Sequence, residues 1–199
     1  MSTWFDQQKK VASEVKLDAS GINTTDFIQA SESLVKLFDL LGSSAFAIVQ
    51  KDMTGNIEKI RTRQAAYPAQ SETLENLVKS EATEKKRTAT EGLLWLLRYC
   101  LTPNAVAALR RSLNNPIEEL ADSFTKAYND TLKKFHSFVV RPLFALAMKA
   151  CPYRKDFYAK LGADQVKVKE QLESYTSALE RIVKQMEDYY VAGNYSKGL

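Results

Sequence analysis

"AFAIVQKDMTGNIEKI", residues 45–60, opens almost wholly apolar and closes with a carboxylate at Asp52, an amide at Asn56 and an ammonium at Lys59. At roughly 100° per residue these three groups fall within an arc of about 60° on one helix, and Ala45 and Val49 lie on or beside it. Met53, Ile57 and Ile60 carry an apolar stripe alongside. The stretch therefore reads as a helix with one face that runs apolar for two turns and then becomes a row of hydrogen-bonding groups. Such a face suits a ligand that is half hydrocarbon and half polar. Gly55 costs this helix about 1 kcal/mol against Ala, and it reads either as a tolerated weak spot or as a place of close backbone approach.

The same spacing recurs along the chain, strand-like alternation is absent, and the punctuation consists of caps and prolines. An all-α protein follows. Thr24-Thr25-Asp26 is expected to open a helix that stops at Gly42, and Ser43-Ser44 to cap the next. Ser71 with Thr73-Leu74 opens another to about residue 85, and residues 87–101 make a fourth. Thr102 can cap and Pro103 can begin its successor. Asn115-Pro116 repeats that device before a long run over residues 117–150, which Pro142 must kink or interrupt. A short helix near residues 154–161 and a final one over residues 163–190 complete the set. Seven to nine helices of this size suggest layers packed face to face.

With 199 residues and no linker-like or low-complexity stretch, one domain over residues 1–199 is expected. The N-terminus lacks the basic lead and long apolar run of a secretory signal. Arg141 and Pro142 cut the most apolar stretch, residues 138–150, too early for a membrane span. A soluble, cytoplasmic protein is the expectation, with Cys100 and Cys151 as reduced thiols. A net charge of +4 is mild for a nucleic-acid binder but sufficient for an anionic membrane surface. Nothing resembles a coiled-coil seam, so a monomer is favoured.

Two further helices combine an apolar stripe with a polar handle. Trp95 stands among Leu93, Leu94, Leu96, Leu97 and Leu101, with Arg98 on the same side. His136, Val140, Leu143, Phe144 and Ala147 share a face on the expected long helix. Taken singly, each feature also fits ordinary core: aromatics at helical spacing fill space, and a lone histidine usually pairs inside the fold. Enzyme readings fare worse. One histidine cannot build a multi-histidine metal centre, and no nucleophile elbow, phosphate loop or dinucleotide fingerprint is present. His136 and the adjacent Ser137 would diverge by roughly 100° on a helix, so they form no triad. No cofactor is called for.

Four segments, "FDLLGSSAFAIVQKDMTGNIEKI", "GLLWLLRYCL", "FTKAYNDTLKKFHSFVV" and "MKACPYRKDFYAKLG", resemble the glycolipid transfer protein family in the same order and at similar separations. The likeness runs from about Phe38 to Gly162, more weakly through the last helix, and is nearest to the fungal heterokaryon-incompatibility branch. It implies an all-α two-layer sandwich of about eight helices with an apolar lipid cleft, a glycosphingolipid ligand and transient contact with membranes. By that likeness Asp52, Asn56 and Lys59 would bind sugar hydroxyls, and Asp52 would also accept from the ceramide amide N–H. His136 would donate to the ceramide carbonyl, Trp95 would be the plate under the sugar, and Tyr195 would belong to the same head-group set. Phe38, Leu41, Phe46, Val49, Val140, Leu143, Phe144 and Ala147 are expected to line the tunnel for the chains. Phe138, Arg141, Tyr153, Arg154 and Lys155 are expected at the membrane. Trp95 separates this chain from the related ceramide-1-phosphate carriers, which have an arginine there. The alternatives left open beside that likeness are a sphingolipid sensor or adaptor, a ceramide-1-phosphate carrier, and a plain helical scaffold.

Overall fold

The computed structural model describes residues 1–42, 44–98 and 105–199, among which lie nine α-helices. They are α1 (Thr24–Leu37), α2 (Ala47–Ala66), α3 (Leu74–Glu81), α4 (Thr88–Leu96), α5 (Ala105–Asn114), α6 (Leu120–Asp130), α7 (Arg141–Lys149), α8 (Arg154–Leu161) and α9 (Gln165–Ala192).

Local chemistry sets most of the boundaries. Asn23, one residue before the expected start, caps α1 by accepting from the Asp26 N–H at 2.9 Å. Thr73 and Asp164 cap α3 and α9 in the same way. Past α1 a 3₁₀ turn, Phe38–Leu41, ends at Gly42 with φ 68°, the left-handed conformation that glycine adopts without strain. Ser44 lies in a 3₁₀ turn, Ser44–Phe46, that leads into α2 rather than serving as its cap. The expected features at Ser43, Cys100, Leu101, Thr102 and Pro103 fall outside the described residues.

Two features refine the all-α expectation. Leu17–Asp18 pairs antiparallel with Gly21–Ile22, a two-stranded hairpin too short for any alternation to announce it. The long run over residues 117–150 is three pieces: α6, a 3₁₀ turn at Leu132–Phe135, and α7 after an extended His136. Pro142 starts α7 instead of kinking a continuous helix, because its ring would collide with the carbonyl four residues earlier. The break falls at Thr131, whose hydroxyl bonds back to the Ala127 carbonyl at 2.6 Å.

In one layer α1, α2, α4 and α3 are successive neighbours, and in the other α7, α6, α5 and α9, with α8 against α9. Glu118 fixes the corner between α5 and α6 by accepting from Arg111, Ser123 and Lys126, which together hold its carboxyl down at about 2. The N-terminal segment belongs to the same core, with Phe5 packed 5.7 Å from Tyr175 of α9. Between the layers Leu34, Leu37, Phe38, Leu41, Leu109, Phe124 and Phe157 line a small apolar space of about 10 Å³. No helix among the described residues is long and apolar enough to cross a membrane. Cys151 is a free, half-buried thiol, pushed up to about 12 by burial.

Candidate functional site

The polar row on α2 is a connected chain. Lys59 Nζ donates to Asn56 Oδ1 at 3.0 Å, and Asn56 Nδ2 donates to Asp52 Oδ2 at 3.1 Å. A cation on one side and a carboxylate on the other fix which way the amide faces. Burial grades along the row, with Asp52 exposed, Asn56 buried and Lys59 between. The apolar residues beside it, Val49, Met53, Ile57 and Ile60, are buried.

Helix α4 lies against this row because residue 92 is a glycine. A Cβ there would sit 3.1 Å from the Asn56 carbonyl oxygen and 3.0–3.1 Å from the Lys59 stem. Sequence reasoning considered Gly55 for such a role, yet Gly55 is exposed with nothing near it and is only a weak spot. The signal for Gly92 was its position inside the leucine-rich helix. One turn on, Trp95 is half-buried, and the Arg98 guanidinium stands 5.2 Å from its ring and 4.5 Å from that of Phe135. Arg98 thus ties Trp95 to the residue just before His136. Beyond that pair a groove of about 470 Å³, open to solvent, carries Arg98 and Lys134 together with Asp130, Glu187 and Asp188.

His136 is 6% exposed, with Nδ1 3.2 Å from the Tyr128 hydroxyl and its ring 4.2 Å from that of Phe144. Burial lowers its pKa; the Asp52 carboxylate opposes that shift and Arg141 adds to it. A histidine depressed in the fold contributes stability that is present above its unfolded pKa of about 6.5 and is lost as pH falls through the folded value. The imidazole signals, unambiguous in a chain with one histidine, will therefore titrate below pH 6.5, and the acid limb of the stability curve will steepen in that window.

The structure brings Asp52, Asn56, Lys59, Trp95 and His136 to one region, by the α2 row, the α4 contact and the Asp52 field at His136. Tyr195 is held by other partners. Its ring stacks on Tyr189 at 5.2 Å, folded over Gly193, and its carbonyl accepts from Arg87 at the start of α4. Of the expected tunnel residues, Phe38, Leu41, Phe46, Val49, Phe144 and Ala147 are buried and Val140 is half-buried. Leu143 is 47% exposed, a correction that follows from α7 starting afresh at Arg141: the new helix buries Phe144, Ala147 and Met148 and turns Leu143 outward. At the expected docking edge Phe138, Arg141, Tyr153 and Lys155 are exposed. Arg154 is not available there, since its guanidinium donates to the Ser112 carbonyl and hydroxyl and lies 4.1 Å over the Tyr158 ring. Exposed Ile48, Val139 and Leu146, which sequence reasoning did not single out, belong to the same set of helix starts and outward faces as Phe138 and Leu143.

The family profile described as glycolipid transfer protein matches residues 22–163. The chain belongs to the glycolipid transfer protein family. It is 52% identical to a glycolipid transfer protein of Aureobasidium melanogenum, over 94% of this chain and 92% of that one. It is 32% identical to pleckstrin homology domain-containing family A member 8 of Danio rerio, over 81% of this chain but only 30% of that longer protein. Among solved structures, HET-C2, a fungal glycolipid transfer protein, superposes with a TM-score of 0.92 at 46% identity, covering 98% of this chain and all of that one. The GLTP-fold of FAPP2, described as selecting simple glycosphingolipids, gives 0.87 at 28% identity over 98% of each chain. Mouse ceramide-1-phosphate transfer protein, at 20% identity and a TM-score of 0.79, shares the fold.

Proposed function

We propose that this member of the glycolipid transfer protein family binds one glycosphingolipid and moves it between membranes without altering it. The observation that carries this reading is the Lys59–Asn56–Asp52 chain at the end of an apolar stripe, with Trp95 and His136 on neighbouring elements. Carboxylate and amide oxygens accept from sugar hydroxyls, the ammonium donates, and an indole face sheds water against the C–H face of a sugar. Asp52 also takes the ceramide amide N–H and His136 gives a hydrogen bond to its carbonyl. Its work is selective solvation, not catalysis. Each methylene leaving a bilayer costs about 0.8 kcal/mol in water, so two chains cost on the order of 20 kcal/mol bare. An interlayer lining of Phe38, Leu41, Phe46, Val49, Phe144 and Ala147 replaces that solvent. The apolar space of about 10 Å³ is far below the roughly 300–1,000 Å³ of pockets that bury small ligands, so side chains and layers must give way as chains enter.

The unit is residues 1–199 acting as one monomeric domain, since Phe5 and α9 pack into the same core as the matched residues. It works in the cytoplasm, touching membranes transiently through Phe138, Val139, Leu143 and Leu146, with Arg141, Lys133 and Lys149 toward anionic head groups. Phe138→Ala, at a side chain 82% exposed, should cut the bound fraction on anionic vesicles by about threefold in sedimentation while leaving the melting temperature unchanged. An unchanged bound fraction removes that face from the docking surface.

Native mass spectrometry of the purified chain tests the function. Co-purified hexosylceramide is the expected mass, a phosphorylated ceramide would move the chain to the ceramide-1-phosphate carriers, and no lipid even after incubation with galactosylceramide vesicles would overturn the reading. Rapid exchange between two vesicle populations at substoichiometric protein separates a carrier from a sensor that retains its lipid.

A further inference from the structure

We propose that Tyr128 is the positioning residue for His136: its phenol holds the imidazole as the Nε2–H tautomer, so that the ring presents a donor to an acceptor-only group, the carbonyl of a bound ceramide. The inference rests on the glycosphingolipid reading for the identity of that acceptor, and on the geometry of the ring cluster for the tautomer.

A neutral imidazole has one donor and one acceptor nitrogen, and the bond made by one decides what the other can do. Here that bond is Tyr128 Oη to His136 Nδ1 at 3.2 Å, between residues 3% and 6% exposed. Nδ1 is the one hydrogen-bond partner that Oη has among the described residues. Were Nδ1 to carry the proton and donate, the phenolic hydrogen would be left buried without an acceptor, a cost the fold avoids when the phenol donates. Nδ1 is then the lone-pair nitrogen and Nε2 carries the hydrogen.

The cluster is built to keep that choice. Tyr128 comes from α6, His136 from the extended residue that follows the 3₁₀ turn, and Phe144 from α7. Tyr128 and Phe144 stack at 5.6 Å with planes 12° apart, and Phe144 packs 4.2 Å from the histidine ring. Arg141 donates from Nε to the carbonyls of His136 and Lys133, pinning the backbone on which the ring hangs. Among the described residues the charged groups acting on the ring are Asp52 from α2 and Arg141 from α7, with opposite effects, and burial, which Arg141 reinforces, outweighs Asp52 in favour of the neutral form. An imidazolium would carry hydrogens on both nitrogens and force the phenol to turn its own away.

Nitrogen-15 NMR of the single histidine reads the tautomer directly, without lipid. At neutral pH the parent chain should show a protonated Nε2 and an unprotonated Nδ1. Tyr128→Phe keeps the ring and the stack; it should move the signals toward a tautomer mixture and slow transfer of labelled galactosylceramide by about three- to tenfold, the loss expected from one hydrogen bond no longer aimed. A parent ring protonated at Nδ1 overturns the proposal, as does a Tyr128→Phe chain with the parent's tautomer and rate. If Tyr128→Phe melts far below the parent, the parent spectrum alone decides. If the parent carries no glycosphingolipid, the functional reading falls and the spectrum still reports whether Tyr128 sets the tautomer.

Discussion

Asp52→Val will move labelled galactosylceramide between vesicles about 100-fold more slowly than the parent chain, the loss of two charge-assisted hydrogen bonds at about 1.5 kcal/mol each. Asp52 is exposed, so the substitution leaves the core intact, and its structural effect is confined to Asn56 Nδ2, which loses its acceptor. Melting within about 4 °C of the parent is expected, the shift that about 1 kcal/mol produces in a domain of this length. Valine nearly matches the shape of aspartate but accepts nothing, so hydroxyls and an amide N–H brought to it would be stripped of water and left unpaired. Transfer at the parent rate by a folded Asp52→Val chain would mean that the row on α2 does not read the head group.

Phe144→Ala will lower the melting temperature by about 10 °C, the largest stability effect expected of any single change at the site. A buried phenylalanine truncated to alanine costs about 3–5 kcal/mol, and each kcal/mol is worth about 2–4 °C at this length. Phe144 is 4% exposed and touches the rings of both Tyr128 and His136. It is also the main aromatic anchor of α7, a helix whose outer side is largely exposed. Differential scanning calorimetry measures the shift. A drop of less than about 2 °C would show that the site closes over the lost ring, contrary to the usual behaviour of packed cores.

Most of the fold was legible because its signals are local. Apolar spacing locates α1, α3, α8 and α9 within a few residues, side-chain caps mark the starts of α1, α3 and α9, and Gly42 ends the first run in the left-handed conformation. The polar row on α2 was legible for the same reason, since Asp52, Asn56 and Lys59 are placed by helix geometry alone. What escaped depends on partners distant in sequence. Arg154 looks like a surface cation until the Ser112 carbonyl, 42 residues away, claims its guanidinium. Gly92 matters only because a second helix approaches it. Pro142 announced an interruption, but whether the chain bends or breaks was decided at Thr131, where a hydroxyl takes the Ala127 carbonyl and the next helix starts on a new phase. That change of phase moved Leu143 out of the expected lining, and Tyr195 is held by Tyr189 and Arg87, partners that no local pattern announces.

The linked side chains of α2 have a consequence for release. Lys59, Asn56 and Asp52 are bonded to one another across 3.0 and 3.1 Å and Asp52 is open to water, so an arriving sugar exchanges partners with groups that already hold some rather than rescuing starved ones. The gain on capture is correspondingly small, and the same internal bonds are waiting to re-form when the cargo leaves. A courier needs that symmetry: a grip too strong to reverse would turn a shuttle into a sink.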